Sequence, residues 1–523
     1  MAAKKSLLTK TLFVSIILLL SKFIGILREL LQVNYLGVGE LSDAFNTAFK
    51  IPQTLRKVFA EGALSTAFIP TIIHVMKKDS QAQADKLMSL MYLVFGSIIV
   101  VLCLLVSLFP KPLILLYAVG YASKPVELET TIRLLRTLIY FVFFIFSSSL
   151  LAGALQSKMH FALPSWGPAL LNLFYITGLL SCIYWKLDVS IFSYFLIAGA
   201  VVQTVLYLYA YFFHGFTFLR PDRQTVIYFK QVLYKFLPAL VTVSAVEINS
   251  IIDNRYASLL PAGSITLLNL SSRFMGIALG AFAVAFSQIL LSHFSRISAY
   301  APKRLSFYLF ESTKLIVWVT LPVVLLMSFF SYDIFYTIFY KLSHRFTLTQ
   351  VEAASKLLIA FLPGLIFLSL NKVLISIYSS LHELRYATAI TFIGVLCNIF
   401  LNRLLVPLYG ATGIAIATSL ASILQTVLLI KALHIFFGFS SYYTQFFTFF
   451  YRYSILLTFF STLFYILYRF TLYSIAYITP AYYDFLVHHI GLWLWVGPLC
   501  LILAGLFYLA YKQYGSRLYF FEQ

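Results

Sequence analysis

Charged side chains are scarce in this sequence: they make up 11% of its 523 residues, against about a quarter in an ordinary soluble domain. That excludes a soluble enzyme. Long polar stretches are missing too. The longest polar connection lies around Gly215 to Lys235, which leaves little room for an extramembrane catalytic domain. No Gly-rich phosphate loop of the Walker type occurs, so the chain does not hydrolyse ATP by that mechanism. Cysteine is rare. Cys103, Cys182, Cys397 and Cys500 all lie in apolar runs without metal-ligand spacing and read as small core residues. Nine histidines are scattered and form no catalytic set with carboxylates, so no enzymatic activity is expected. Carboxylates are the scarcer charge: 18 Asp+Glu face 38 Lys+Arg, a formal net charge of +20. No soluble basic domain exists to carry that excess to a nucleic acid, so nucleic acid is not an expected partner.

What is abundant is apolar: 61% of the residues are hydrophobic and the mean hydropathy is +0.90. Apolar runs of about 20 residues recur from end to end, the length that crosses a bilayer as a helix. The pattern predicts an all-α polytopic membrane protein with fourteen transmembrane helices. The first six are expected at 10–36, 41–76, 87–109, 131–156, 161–185 and 190–214. Six more follow at 236–260, 265–294, 306–335, 352–380, 386–408 and 411–437, and a last pair at 446–475 and 487–511. The N-terminal run after Lys4, Lys5 and Lys10 has no small-residue cleavage site and continues into Lys22 and Arg28, so it reads as a retained first helix. The second span is unusually polar and carries Pro52 and Gly62; it must line something wet or be packed inside the bundle.

Loop cations set the orientation. With the N-terminus inside, 18 lie in cytoplasmic segments, from Lys4, Lys5 and Lys10 through Lys77, Lys78, Arg220, Arg223 and Lys303 to Lys512 and Arg517. The opposite loops hold 5: Lys111, Lys124, Lys186, Lys341 and Arg345. The positive-inside rule then places both termini of a multi-pass membrane protein in the cytoplasm. A weak repeat at an offset of 226 pairs Gly37 with Gly263, and Leu155, Asn172 and Phe174 with Leu381, Asn398 and Phe400. It suggests two related six-helix lobes around a central cavity. The expected division is 1–214 for the first lobe, 215–235 for a cytoplasmic linker, 236–437 for the second lobe and 438–523 for two extra helices with the C-terminal tail.

The remaining cations are the informative ones. A charge at the bilayer centre costs about 2.5–3.5 kcal/mol on insertion scales, so such residues usually face a cavity. Lys22 and Arg28 lie on the first helix, Arg56 with Lys57 and Glu61 on the second, Glu247, Asp253 and Arg255 on the seventh, and Arg273 on the eighth. Cations converging from the first, second and eighth helices would form a basic chamber suited to phosphate or diphosphate. The plainer alternative is a set of internal salt bridges, such as Arg56 with Glu61, or side chains that snorkel to the interface.

The segment SDAFNTAFKIPQTLRKVFAEGALSTAFIP, Ser42 to Pro70, resembles the signature of the MurJ (MviN) family of lipid II flippases, within the multidrug/oligosaccharidyl-lipid/polysaccharide exporter superfamily. SKFIGILRELL, Ser21 to Leu31, fits that family's first helix, and INSIIDNRYASLLPAGSI, Ile248 to Ile265, its seventh. The resemblance implies transfer of lipid II, the undecaprenyl-pyrophosphate-linked disaccharide pentapeptide of peptidoglycan synthesis, from the cytoplasmic to the periplasmic leaflet by alternating access. It carries the substrate-binding basic residues over to Lys22, Arg28, Arg56 and Arg273 and the acidic positions to Asp43 and Glu61. Lys22 replaces the usual arginine and loses the planar fork. The extra helices would make a groove for the lipid tail, which fits the aromatic run from Phe446 to Tyr468. Some relatives hold sodium in the second lobe, and the aligned positions are Asp253, Asn398 and Asn402, with Thr418 and the Ile414 carbonyl. Asn402 replaces a carboxylate, so sodium affinity should fall. Membrane lipids and a cell-wall glycan polymerase are the further partners that come into view, for a protein expected to be a monomer. The competing readings are an exporter of another polyprenyl-pyrophosphate-linked glycan and a membrane glycosyltransferase or polymerase.

Overall fold

The computed structural model describes residues 24–280, 304–343, 345–439 and 442–513, together with Leu290, Phe294 and Ile297. Every regular element among the described residues is helical. Eleven of these helices are long and apolar enough to cross a membrane, and they coincide with eleven of the fourteen spans read from hydropathy. The other three are the first, of which only 24–36 is described, the second, and the eighth, which is seen as Ser264–Leu279. Those three carry the charges singled out for the chamber.

Contacts divide the chain into two compact units, Met1–Thr266 and Leu267–Gln523. The division falls inside the helix Ser264–Leu279. The reason lies in the seventh span. It runs as one helix from Arg223 to Ala257, thirteen residues longer at its start than the apolar run, and packs on Ala63–Lys78 of the first unit. Arg223, Lys230 and Lys235 interrupt the hydropathy but not the helix, because all three stand exposed. Only 214–222 is left as connection.

In the first unit, helix α1 covers 24–36 and α2 is Glu40–Leu55. The second span then passes through a π-helical segment, Arg56–Gly62, before continuing as α3, Ala63–Lys78. The interruption follows Pro52, which has no N–H to donate; four residues on, the Arg56 N–H reaches both the Pro52 and Gln53 carbonyls. Single π turns of this kind often mark functional positions. Helices α4 (Gln81–Leu108), α5 (Pro110–Tyr117), α6 (Pro125–Leu138), α7 (Phe141–Ser157), α8 (Ala162–Trp185), α9 (Val189–Phe213) and α10 (Arg223–Ala257) complete the unit, and α11, Ser264–Leu279, begins in it. Outward faces are bare: Leu93, Leu104 and Leu108 of α4 are each about half exposed or more, as lipid contact allows and water would not. Gly37 and Gly263, paired by the repeat, both adopt the left-handed region, with φ 71° and 92°, which favours glycine.

The second unit holds α12 (Leu305–Phe329), α13 (Ser331–Phe335), a π-helical turn Tyr336–Tyr340, α14 (Leu348–Ser380), α15 (Leu384–Tyr409) and α16 (Ala411–Phe437). Helices α14, α15 and α16 pack closely, and the buried Tyr378 hydroxyl donates to the Leu429 carbonyl at 2.8 Å. The last elements are α17 (Tyr443–Ile478), α18 (Tyr483–His488) and α19 (Gly491–Gln513). Phe449, Tyr453 and Leu457 of α17 and Phe507 of α19 bury against Leu315 and Val317 of α12.

A polar lattice replaces apolar packing at the end of the first unit where α4 and α10 begin. Asp222 caps α10 through the Thr225 amide at 2.8 Å, accepts from Lys86 Nζ at 2.7 Å and from Gln83 Nε2 at 3.0 Å. Asp85 accepts the Thr217 amide and hydroxyl. The Lys86 ammonium, then the Gln83 and Thr225 donors, hold Asp222 well below the usual carboxylate range. A depressed carboxylate stabilises the fold above its unfolded value near 4, and that contribution disappears as pH falls toward the folded value. Hydrogen exchange should therefore show the Thr225 amide protected at neutral pH and progressively less so below about pH 4. Asp222→Ala should lose that protection at every pH; unchanged protection in the variant would contradict the assignment.

Candidate functional site

Arg28 is the charge that the structure describes most completely. It lies on α1 and is less than one-fifth exposed. Its Nη2 and Nε donate to Glu29 Oε1 at 2.7 and 3.3 Å, its Nη1 donates to Asn172 Oδ1 of α8 at 3.0 Å, and its guanidinium carbon lies 4.7 Å from the Tyr175 ring centroid. Adjacent helical residues point about 100° apart and rarely meet; here the long arginine side chain folds back to its neighbour. Glu29 is itself buried, so the cation and its partner share one low-dielectric pocket. The guanidinium's charge is thus met by the protein's own carboxylate, amide oxygen and aromatic face.

Asp43 does something different. It is buried, and both its oxygens face the start of α11: Oδ2 accepts the Gly263 amide at 2.8 Å, and Oδ1 accepts the Thr266 amide at 2.8 Å and the Thr266 hydroxyl at 2.6 Å. A carboxylate on two amide donors at a helix N-terminus is a cap that also favours the helix dipole. The side chain expected at the chamber wall thus anchors a helix.

Arg56 is half-buried and opens the π-helical segment. Glu61 lies in the same segment, and only its backbone is described. Lys57, the neighbour of Arg56, extends to α10, where Nζ sits 3.1 Å from Glu247 Oε1. Lys22 lies outside the described residues. Arg273 is half-buried on α11 in the second unit. Its helix is held there by the Ser271 hydroxyl on the Ala354 carbonyl at 2.9 Å and by Phe274 edge-on to Phe335 and Phe339. Arg255, counted among the misplaced charges, closes a helix end: Nη1 donates to the Leu115 and Leu116 carbonyls of α5, each at 3.1 Å.

The positions aligned with a sodium site fall in both units. Asp253 is half-buried on α10 of the first. Asn398 and Asn402 are fully buried on α15 of the second, and the packed neighbour α16 carries the buried Ile414 and half-buried Thr418. Among the described residues no three His, Cys, Asp or Glu side chains cluster as a metal site. The donors at hand in the second unit are neutral oxygens.

Sequence reasoning passed over Glu29, Tyr175, Gln32, Asn46 and Thr266. Glu29 adjoins Arg28 in sequence, and the other four are neutral polar side chains, so the only signal available was polarity within apolar helices.

Eleven apolar spans among the described residues, together with leucines exposed on their outer faces, define a polytopic α-helical membrane protein. The family follows from comparison. Residues 32–483 match the family model described as lipid II flippase MurJ, and the chain belongs to that family of bacterial multi-pass inner-membrane proteins. It is 28% identical over 431 residues to the lipid II flippase MurJ of Burkholderia cenocepacia, covering 79% of this chain and 81% of that protein. With the "Probable lipid II flippase MurJ" of Vibrio cholerae it shares 27% identity over 450 residues, covering 82% and 83%. It superposes on a solved structure of lipid II flippase MurJ in an inward closed conformation with a TM-score of 0.76 at 26% identity, covering 95% of this chain and 99% of that one. An inward-facing multidrug resistance MATE family transporter gives a TM-score of 0.67 at 14% identity, covering 80% and 96%, a likeness of fold alone.

Replacing Asp43 by Ala strands two buried amide donors, each worth roughly 1–3 kcal/mol when unsatisfied. Thermal unfolding of the purified chain should show Asp43→Ala destabilised by about 3 kcal/mol. A variant as stable as the parent would return Asp43 to a purely ligand-facing role.

Proposed function

We infer that this chain moves lipid II across the bacterial inner membrane, from the cytoplasmic to the periplasmic leaflet, in the service of peptidoglycan synthesis. Membership of the lipid II flippase family supports the cargo, and the observation that carries the chemistry is Arg28, a guanidinium fixed inside an apolar helical unit by Glu29, Asn172 and Tyr175. A diphosphate is a stronger acceptor than a single carboxylate oxygen. On binding it would take the Arg28 donors now directed at Glu29, while Asn172 and the Tyr175 ring keep the guanidinium plane in place. Arg56 and Arg273, with Lys22, would supply the balance of positive charge. Once the headgroup charge is neutralised, the lobes can exchange access, and the polyprenyl tail stays in lipid along α17 and α19.

The finer architecture belongs to the same reading: fourteen spans in two six-helix lobes plus an extra pair, both termini cytoplasmic, and a monomer as the transporting unit. The excess of cations in the assigned cytoplasmic segments supports the orientation. No bond of the cargo is made or broken, so the chain is read as a transporter and not an enzyme. Sodium fits in part. Asn398, Asn402, Thr418 and the Ile414 carbonyl are hard oxygen donors of the kind the ion takes, and a bound sodium would contribute positive charge to the second unit. With an amide at 402 that affinity is weak. Asn402→Asp should therefore raise the sodium-specific gain in melting temperature over potassium, by mass action on the folded state. Equal melting temperatures in the two salts for both proteins would remove sodium from the account.

Arg28 could instead serve only to neutralise Glu29. The two roles separate in cells depleted of their own flippase. Arg28→Leu alone should fail to support growth and should destabilise the protein, since it leaves a buried carboxylate unpaired. Arg28→Leu with Glu29→Leu should recover stability yet still fail to support growth. Full growth of the double variant would make the pair purely structural.

A further inference from the structure

Beneath Arg28 a file of polar side chains crosses the first unit. The Tyr175 hydroxyl donates to Gln32 Oε1 at 2.7 Å, Gln32 Nε2 to Asn46 Oδ1 at 3.1 Å, Asn46 Nδ2 to Thr266 Oγ1 at 3.0 Å, and the Thr266 hydroxyl to Asp43 Oδ1 at 2.6 Å. These groups come from α8, α1, α2 and the start of α11. Gln32 and Thr266 are buried, so each link replaces hydration that is not available to it.

The file has one direction. An ionised Asp43 only accepts, so Thr266 must donate to it and has its oxygen free to accept from the Asn46 amino group. The Asn46 carbonyl then takes the Gln32 amino group, and the Gln32 carbonyl takes the tyrosine proton. Flipping either amide alone would set donor against donor or acceptor against acceptor. At its upper end, a tyrosine that donates its proton gains electron density in the ring, and that ring is the face on which the Arg28 guanidinium rests. At its lower end the file closes on the Asp43 cap of α11.

We propose that Tyr175, Gln32, Asn46 and Thr266 are positioning residues that fix the Arg28 guanidinium and tie it to the N-terminus of α11 in the first unit. The proposal rests on the lipid II reading only for its purpose. Its geometry makes a separate claim: the four side chains act as one cooperative unit, so any break releases Arg28 and a second break adds nothing.

The test uses the full chain in detergent. Phenylglyoxal modifies accessible guanidinium groups, and mass spectrometry reports the rate at Arg28 alone. Tyr175→Phe, which removes the hydroxyl and keeps the ring, and Asn46→Leu should each raise that rate about fivefold, the factor one net hydrogen bond is worth. The double variant should stay near fivefold. Gln32→Met, close in length, serves in place of Asn46→Leu if that variant does not fold. Lipid II affinity, titrated on the same samples, should weaken in parallel, with the double no worse than either single. Multiplication of the effects to about 25-fold, or an unchanged rate at Arg28, would overturn the proposal. A parent protein that binds no lipid II would overturn the transport reading, while the Arg28 rates still decide the network.

Discussion

A positive charge inside hydrocarbon must be neutralised by something, and the rest of this protein is arranged around that constraint. Arg28 is met on three sides by a carboxylate, an amide oxygen and an aromatic face. Each partner comes from a helix that must be held in register for the contact to exist. The internal anion has a consequence for function. A guanidinium already paired in a low-dielectric pocket is held without cargo, but a cargo that takes its donors leaves the buried Glu29 carboxylate to be matched elsewhere, at a cost of several kcal/mol if it is not.

The same need for saturation explains the other misplaced charges. Asp43 and Arg255 both end up on helix termini, one on amide donors and the other on carbonyl acceptors. Lys57 is matched by Glu247 across two helices, and Asp222 gathers the connection before α10. Helix ends expose unsatisfied backbone groups whose partial charges favour opposite side-chain charge. In a protein with so few charged residues, several therefore serve the termini, and fewer are left for a ligand than their number suggests.

Helix positions were legible because a bilayer imposes a length and a hydropathy that few other environments impose. The seventh helix began thirteen residues earlier than its apolar run, since an exposed helix end tolerates Arg223, Lys230 and Lys235 without losing its backbone bonds. The break in the second span was foreshadowed by Pro52 and Gly62, but no local signal beyond these two residues marks the π-helical turn Arg56–Gly62 itself. Arg28 stood out as a charge in an apolar run. Its partners did not: Glu29 is its immediate neighbour, an unfavourable spacing on a helix, and Asn172 and Tyr175 are more than 140 residues away. Asp43 matched a family position by type and was read as a ligand. Its two amide donors lie 220 and 223 residues on in the chain, a distance that no local pattern encodes.

The central claim is that the chain carries lipid II across the membrane by way of Arg28. It is tested most directly by reconstituting the purified protein in liposomes with labelled lipid II in one leaflet and following its appearance in the other. Steady transfer is expected with the parent protein, and with Arg28→Ala transfer no faster than in protein-free liposomes. Transfer by Arg28→Ala at the parent rate, or movement of a different lipid-linked glycan while lipid II stays in place, would contradict it.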